Sequence, residues 1–462
     1  MSSELLAPLD LAFWHLESAD HPMHLGALVH FAPAPADAAA PPVDLLELLA
    51  TRAAAIPRLR MRVRDVLLPV GGAAWFPDPD FDVHRHVREL RLPGGDFDAE
   101  TARVAGELME QPLERGRPPW EMYLLTGPDD GSFAVLVKLH HALADGMRAV
   151  AIGAGIFDEI AAARTPPARP RRPRTRPAPP ALPGARGLMD LARARLEELG
   201  RAVGVGASVV LASRLDQRGA TALAAHSSGT RTVATVTVDL ERVRDVRRVA
   251  GGTANDVLLA TVAGGLRRWL AERGESPPAA DPRALVPVSR RRPGAPPGSG
   301  NRFSAYLLDL PLSTADPAAR LRAVRTAMDR NKAAGPLRGA GALAVLADQL
   351  PPLAHRFGAP LAGGAARMLF DLLVTNVPLP RSALSLGGRP LRALFPMAPL
   401  ARGQSLAVAM SPYGGDVHIG LVADGAAVPD LDRLAAALAE ELDTLVRATG
   451  STGAEGTVDK GR

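Results

Sequence analysis

The sequence predicts an α/β protein made of two halves, each mixing strands with helices. Three observations carry that expectation. At 462 residues the chain is too long for one ordinary hydrophobic core. Apolar runs of strand length alternate with helical-period runs both early and late in the chain. Between the two sets, Thr165 to Gly184 is dense in Pro, Arg and Ala, a composition that cannot pack a core and reads as an extended linker. The expected organisation is therefore a first half over 1–164, a linker over 165–184, a second half over 185–449, and a polar, disordered tail over 450–462.

In the first half, "LGALVHF" (Leu25–Phe31) reads as a strand, Val43 to Ile56 as a helix, and "FAVLVKL" (Phe133–Leu139) as a buried strand. After the linker, Leu188 to Ala212 carries apolar residues at helical spacing. "TVATVTVDL" (Thr232–Leu240) alternates like a half-buried strand. Further strands are expected at Ala284–Ser289, Phe303–Pro311, Leu372–Val377, Ser405–Tyr413 and Val417–Asp424. A last helix is expected over Asp430 to Ala448.

Composition removes several classes of function. Without cysteine there is no disulfide, thiolate metal site or cysteine nucleophile. The opening "MSSELLAPLD" lacks the basic start of a secretory signal, and no apolar run reaches the roughly 20 residues of a spanning helix. A cytoplasmic protein is the expectation. The sequence pI of about 10.1 suggests nucleic acid until the charge is located. "RTPPARPRRPRTR" (Arg164–Arg176) holds six arginines and no acid, so removing it takes the net charge from +5 to −1. Neither half has a basic face with interleaved aromatics, and no nucleic-acid partner is expected.

Two adjacent histidines, His140 and His141, stand where "FAVLVKL" gives way to a helical run, with Asp145 and Gly146 close behind. Neighbouring side chains on a strand point to opposite faces, so one ring can face a reaction while the other packs behind it. Asp145 at a helix start is favoured by the helix dipole, and Gly146 permits close approach of another group. Such a turn would hold an imidazole where a substrate hydroxyl could reach it. Two plainer readings stand beside this one. A metal site would need further ligands, and none is evident nearby, so no metal is expected. The pair could also be core histidines with a capping aspartate.

"HHALADG" fits the HHxxxDG signature of acyltransferases with the chloramphenicol acetyltransferase-like fold. Within them the chain resembles the bacterial wax ester synthase/acyl-CoA:diacylglycerol acyltransferase family. The supporting stretches occur in the family's order: Pro8–Leu28, "PLERGRPPWEMYLL" (Pro112–Leu125), "ANDVLLATVAGGLRRWL" (Ala254–Leu270), "VPVSRRR" (Val286–Arg292), "GNRFSAYLLDLP" (Gly300–Pro311), "TNVPLP" and "PDLDRL". The resemblance spans about residues 5 to 448. Two positions depart from it: Pro119 stands where the family usually has Leu, and Leu379 where it usually has Gly.

The resemblance implies two chloramphenicol acetyltransferase-like domains, each a mixed sheet flanked by helices, with the active-site channel between them. It implies acyl transfer from acyl-CoA, a substrate rather than a cofactor, to diacylglycerol or a long-chain alcohol, giving triacylglycerol or wax esters. His141 would be the general base and His140 its support, a neutral imidazole being suited to that work near pH 7. Asp145 would organise the loop by capping and by pairing with Arg290 or Arg291. Gly146, Asn255, Asp256 and Asn376 are the candidate substrate-binding residues. For Asp256 the Thr-x-x-Asp spacing of "TAND" equally suits a helix cap. Asn376, in "TNVP", fits either a strand end lining the acyl channel or a turn. Trp120 reads as a core aromatic. The absence of a G-x-S-x-G elbow agrees with direct transfer.

Contact with the inner face of the membrane or with lipid droplets is expected, through Leu188–Ala212, Leu337–Leu373 and the arginine-rich linker. A non-catalytic lipid-surface protein and a condensation-type enzyme acting on a specialised metabolite are the alternatives. The intact "HHALADG" weighs against the first, and the N-terminal segment against the second.

Overall fold

The computed structural model describes residues 4–33, 43–128, 131–144, 146–153, 155–159, 223, 227–276, 278, 280–289, 303–334, 356, 369–380 and 382–455. In the first half these form β1 (Glu4–Leu5), α1 (Pro8–Leu16), β2 (His24–Phe31), α2 (Leu45–Ala54), β3 (Met61–Asp65), β4 (Ala73–Pro77), β5 (Val87–Arg91), α3 (Phe97–Glu110), β6 (Trp120–Thr126), β7 (Phe133–His140) and α4 (Gly146–Gly153). The second half supplies β8 (Arg231–Asp239), α5 (Leu240–Ala250), α6 (Ala254–Glu272), β9 (Arg283–Ser289), β10 (Phe303–Asp309), α7 (Pro317–Ala334), β11 (Leu372–Asn376), β12 (Ser385–Leu386), β13 (Arg389–Met397), β14 (Leu406–Tyr413), β15 (Asp416–Asp424) and α8 (Leu431–Glu455).

Two six-stranded mixed sheets dominate. The first runs β12-β13-β2-β7-β6-β5, antiparallel except for the parallel β5–β6 pair. The second runs β10-β9-β11-β14-β15-β8, with β11 parallel to both neighbours. A small sheet, β1-β4-β3, sits beside the first. Both large sheets and the flanking helices match the fold class expected from the sequence.

The two sheets do not divide cleanly along the chain. After β11 the chain returns to the first sheet, where β13 pairs with β2 from Leu391↔Phe31 to Met397↔Gly26. At the crossing, Gly420 of β15 meets the backbone of Pro396, and a Cβ there would lie 2.0 Å from that carbonyl oxygen. Only glycine permits so close a passage of two strands. Helix α3 also lies close against β8, since a Cβ on Gly106 would lie 2.7 Å from Arg231 O. A shared core follows, in which Leu28, Leu136 and Leu108 of the first half pack with Phe395, Ala407 and Val422 of the second.

The linker 165–184 and the helical stretch Leu188–Ala212 lie outside the described residues, as do residues 337–368 apart from Arg356. Helix α8 runs to Glu455, past the 450 at which the sequence suggested order would end. Among the described residues no helix is long and apolar enough to cross a membrane.

Candidate active site

Strand β7 sorts the site's side chains by parity. Its odd residues Val135, Val137 and Leu139 face a cavity of about 420 Å³, and His141 continues that row one step beyond the strand. The ladder also continues there: His140 N–H donates to Pro119 O (3.0 Å) and His141 N–H to Met23 O (2.8 Å). The even residues turn the other way, toward α3. There the buried Lys138 donates to Leu108 O (2.8 Å) and Gln111 O (2.6 Å), the last carbonyls of that helix. Burial pushes the Lys138 ammonium down from its ordinary value.

His140 is buried, and its Nδ1 accepts a hydrogen bond from Ala142 N–H (3.0 Å). The ring proton therefore sits on Nε2, which faces Glu17 Oε1 at 3.4 Å. That contact is off the line of a good hydrogen bond, and it sets the carboxylate beside the imidazole N–H. The Trp14 ring meets His140 edge-on, with centroids 5.0 Å apart. Arg115 joins the group from the loop before β6. Its Nη2 lies 2.7 Å from Glu17 Oε2, and its guanidinium covers the Trp14 ring at 3.8 Å. Burial alone would raise the Glu17 carboxyl, but His140, Arg115 and the Met23 N–H overcome it and hold the group down at about 2. Opposite His140 in the ladder stands His24, whose Nε2 donates to Met109 O (2.9 Å). Burial pushes this imidazole down to about 3, so it is neutral and structural.

His141 is differently placed. It is half-buried, and the Phe13 ring of α1 stacks on it with centroids 3.9 Å apart and planes 15° apart. The turn that follows, Ala142 to Ala144, is fully buried, with Leu143 N–H donating to His140 O (2.8 Å). Gly146 opens α4. Asp145, Arg290 and Arg291 lie outside the described residues, and so does their expected pairing.

Both halves wall the cavity. On the first half's side stand Leu25, Ala27, Val29 and Phe31 of β2 together with Ala149 and Ile152 of α4. The second half contributes Pro287 and Val288 of β9, Leu373, Thr375 and Asn376 of β11, and the turn Val377 to Pro380, including Leu379. "TNVP" is thus both a strand end and a cavity wall. Asn376 Nδ2 donates to Asn255 Oδ1 across 3.4 Å, which places Asn255 just behind the wall. Asp256 forms a capping box instead. Its backbone N–H donates to Thr253 Oγ1 (3.2 Å), and its Oδ2 accepts from Thr253 N–H (2.8 Å). Trp120 is fully buried, with Nε1 donating to Leu59 O (2.7 Å).

At the end remote from His141, Phe31 and Phe157 line the cavity as an aromatic floor. Phe157 approaches Phe31 with centroids 6.2 Å apart, and Phe31 stacks on Phe133 at 4.7 Å. The next residue, Asp158, fixes this floor. Its carboxylate takes an ion pair from Arg52 (2.6 Å) and hydrogen bonds from Ser385 Oγ (2.8 Å), Gly387 N–H (3.1 Å) and Gly388 N–H (2.8 Å).

The sequence reading did not single out Phe13, Glu17 or Arg115. Glu17 and Phe13 lie inside the Pro8–Leu28 segment that carries part of the resemblance, seven and eleven residues ahead of His24. Arg115 lies inside "PLERGRPPWEMYLL", but only the fold brings it to Trp14.

A two-half α/β structure with a histidine at the cavity between the halves defines the chloramphenicol acetyltransferase-like class. The first condensation domain of the calcium-dependent antibiotic synthetase has this fold, with a TM-score of 0.58 over 97% of this chain and 96% of that one at 18% identity. Sequence narrows the class. The wax ester synthase/diacylglycerol acyltransferase catalytic domain matches residues 6–258 and the WS/DGAT C-terminal domain matches residues 299–446, and the chain belongs to this family. It is 33% identical to "Probable diacyglycerol O-acyltransferase tgs1" of Mycobacterium tuberculosis over 96% of this chain and 95% of that protein. It is 32% identical to tgs2 of the same species, similarly named, over 97% of this chain and 100% of that protein. The wax ester synthase/diacylglycerol acyltransferase from Marinobacter aquaeolei VT8 superposes with a TM-score of 0.69 at 25% identity, covering 96% of this chain and 100% of that one.

Proposed function

We propose that this protein transfers a long-chain acyl group from acyl-CoA to diacylglycerol, and also to long-chain alcohols, with His141 as general base. One observation carries the reading: His141 reaches the end of an apolar cavity between the halves, while His140 turns away into a buried charged cluster. The acceptor hydroxyl gives its proton to the His141 imidazole as its oxygen attacks the thioester carbonyl carbon. Collapse of the tetrahedral intermediate breaks the C–S bond, and the imidazolium returns the proton to the departing CoA sulfur. A positioned base of this kind contributes typically about 10²–10⁴ in rate.

Phe13 fixes the plane of the His141 ring, and the cluster of His140, Glu17 and Arg115 fixes the turn from which it projects. Asn376, with Asn255 behind it, offers polar groups to the substrate in an otherwise apolar wall. Asp145, which the resemblance pairs with Arg290 or Arg291, would organise the loop between His141 and α4. The run from His141 to Val135 spans six residues, or about 20 Å at the rise of a strand. That exceeds the roughly 15 Å that one leaflet's acyl chains occupy in a bilayer core about 30 Å thick. The water-insoluble acceptor is met at the cytoplasmic face of the membrane or at lipid droplets.

The test offers the purified protein labelled palmitoyl-CoA with diacylglycerol or hexadecanol separately and resolves the neutral lipids. Labelled triacylglycerol or wax ester is expected. Absence of both products, with acyl-CoA intact, would leave a lipid-surface protein without transferase activity.

A further inference from the structure

The turn joining β3 to β4, "VLLPVGG" (Val66–Gly72), presents the most exposed large apolar side chains among the described residues. Leu67 is 93% exposed, Leu68 80% and Val70 59%. A single exposed leucine needs no explanation, but three such side chains within four positions at a loop tip do. The turn is built rather than loose. Gly72 N–H donates to Pro69 O (2.8 Å), Val66 N–H to Gly72 O (3.0 Å), and His15 Nε2 to Gly71 O (3.2 Å).

Its surroundings are basic. Arg64, two residues before the turn, is exposed, and Arg356 comes to the same end of β3. The nearest carboxylate in sequence, Asp65, is engaged by Arg356 at 3.4 Å. On the adjoining strand β1, Leu5 is 55% exposed and adds to the apolar edge. Apolar side chains rimmed by arginines match an anionic lipid surface in both polarity and charge. The turn is tied to α1 through His15, and the same helix carries Phe13 over His141.

We propose that the Val66–Gly72 turn is a lipid-insertion tip. Leu67, Leu68 and Val70 enter the acyl layer of an anionic lipid surface while Arg64 and Arg356 meet its head groups. This docking brings α1, the helix that carries Phe13 over His141, to the surface that holds the acceptor. The orienting consequence rests on the acyl-transfer reading; insertion of the tip does not.

The experiment measures partition of the full-length protein onto vesicles of phosphatidylcholine mixed equally with phosphatidylglycerol, and onto a triolein emulsion coated with the same lipids. Substituting both Leu67→Ser and Leu68→Ser is expected to weaken partition by about tenfold per leucine. Substituting both Leu67→Met and Leu68→Met keeps the tip apolar and is expected to bind like the parent. Transfer from octanoyl-CoA to butanol stays unchanged in the serine variant, whereas transfer to diacylglycerol in vesicles falls. Parent-like binding by the serine variant overturns the proposal, as does loss of binding in the methionine variant. A parent that is dimeric and a serine variant that is monomeric, with equal vesicle binding, would assign the tip to a contact between copies and refute lipid insertion. If neither acceptor is acylated but the serine variant still loses binding, the transferase reading fails and the tip stands.

Discussion

Glu17 Oε1 lies 3.4 Å from His140 Nε2, and neither side chain is more than 5% exposed. The contact ties the segment after α1 to the histidine pair, so the two are one structural unit. Because the Glu17 carboxyl is held at about 2 against an ordinary value of 4.5, its charge stabilises the fold most above pH 4.5. Below that the unfolded chain binds the proton first, and the contribution is lost as pH falls toward 2. A shift of this size corresponds to about 3 kcal/mol. Glu17→Gln is therefore expected to melt earlier than the parent at pH 7, and the gap in Tm is expected to close between pH 4.5 and the acid limit. A gap that stays constant with pH would show that the charge of Glu17 contributes nothing.

The two histidines are expected to fail in different ways. His141→Ala removes a half-buried, cavity-facing ring and should lose about 10²–10⁴ in turnover with its Tm nearly unchanged. His140→Ala removes a buried ring, exposes the Glu17 carboxylate to a void and frees the Ala142 N–H, so it should melt several degrees lower as well as lose activity. Melting curves and transfer assays on both variants decide it. A stable, inactive His140→Ala beside an active His141→Ala would reverse the roles.

Much of this was legible in the sequence, for a physical reason. Strands buried on both faces read as apolar runs and half-buried ones as alternation, and β2, β7, β8, β11, β14 and β15 lie within a residue or two of the ranges those signals give. β13 was not, because "RPLRALFPM" carries Arg389, Pro390, Arg392 and Pro396, which break both the run and the alternation. Its place in the first sheet depends on pairing with β2, more than 350 residues earlier, and on the Gly420 crossing. Local pattern says nothing about either. The histidine pair was legible because parity on a strand fixes which ring faces which side. The Glu17–Arg115 support was not, since it joins positions about a hundred residues apart.

Thr253 and Asp256 carry a different expectation from Asn376. Thr253→Ala removes one arm of the capping box and should cost about 1 kcal/mol of stability with kcat retained. Asn376→Ala leaves the cap intact but removes a polar group from the cavity wall and the partner of Asn255. It should raise KM or lower kcat while Tm changes little. Equal loss of activity in Thr253→Ala at unchanged stability would return the cap to the list of site residues.

The aromatic floor yields the last expectation. Phe157 lines the cavity at the end remote from His141, against Phe31, and Asp158 pins it to α2 and to the β12–β13 turn. A floor of fixed position limits how long an alkyl chain can lie between it and the reacting carbonyl. Phe157→Ala removes most of the ring and should move the preferred chain length upward, with longer chains gaining at the expense of shorter ones. Burying each added methylene contributes about 0.8 kcal/mol, so two more accommodated carbons are worth roughly tenfold in kcat/KM. Asp158→Asn should broaden the preference without moving it, because it weakens the latch while keeping the ring in place. Two series separate the substrates: acyl-CoAs of increasing length against one alcohol, and alcohols of increasing length against palmitoyl-CoA. If the Phe157→Ala shift appears only in the first series, the floor measures the acyl donor; if only in the second, it measures the acceptor. An unmoved profile in both would mean that neither chain reaches Phe157.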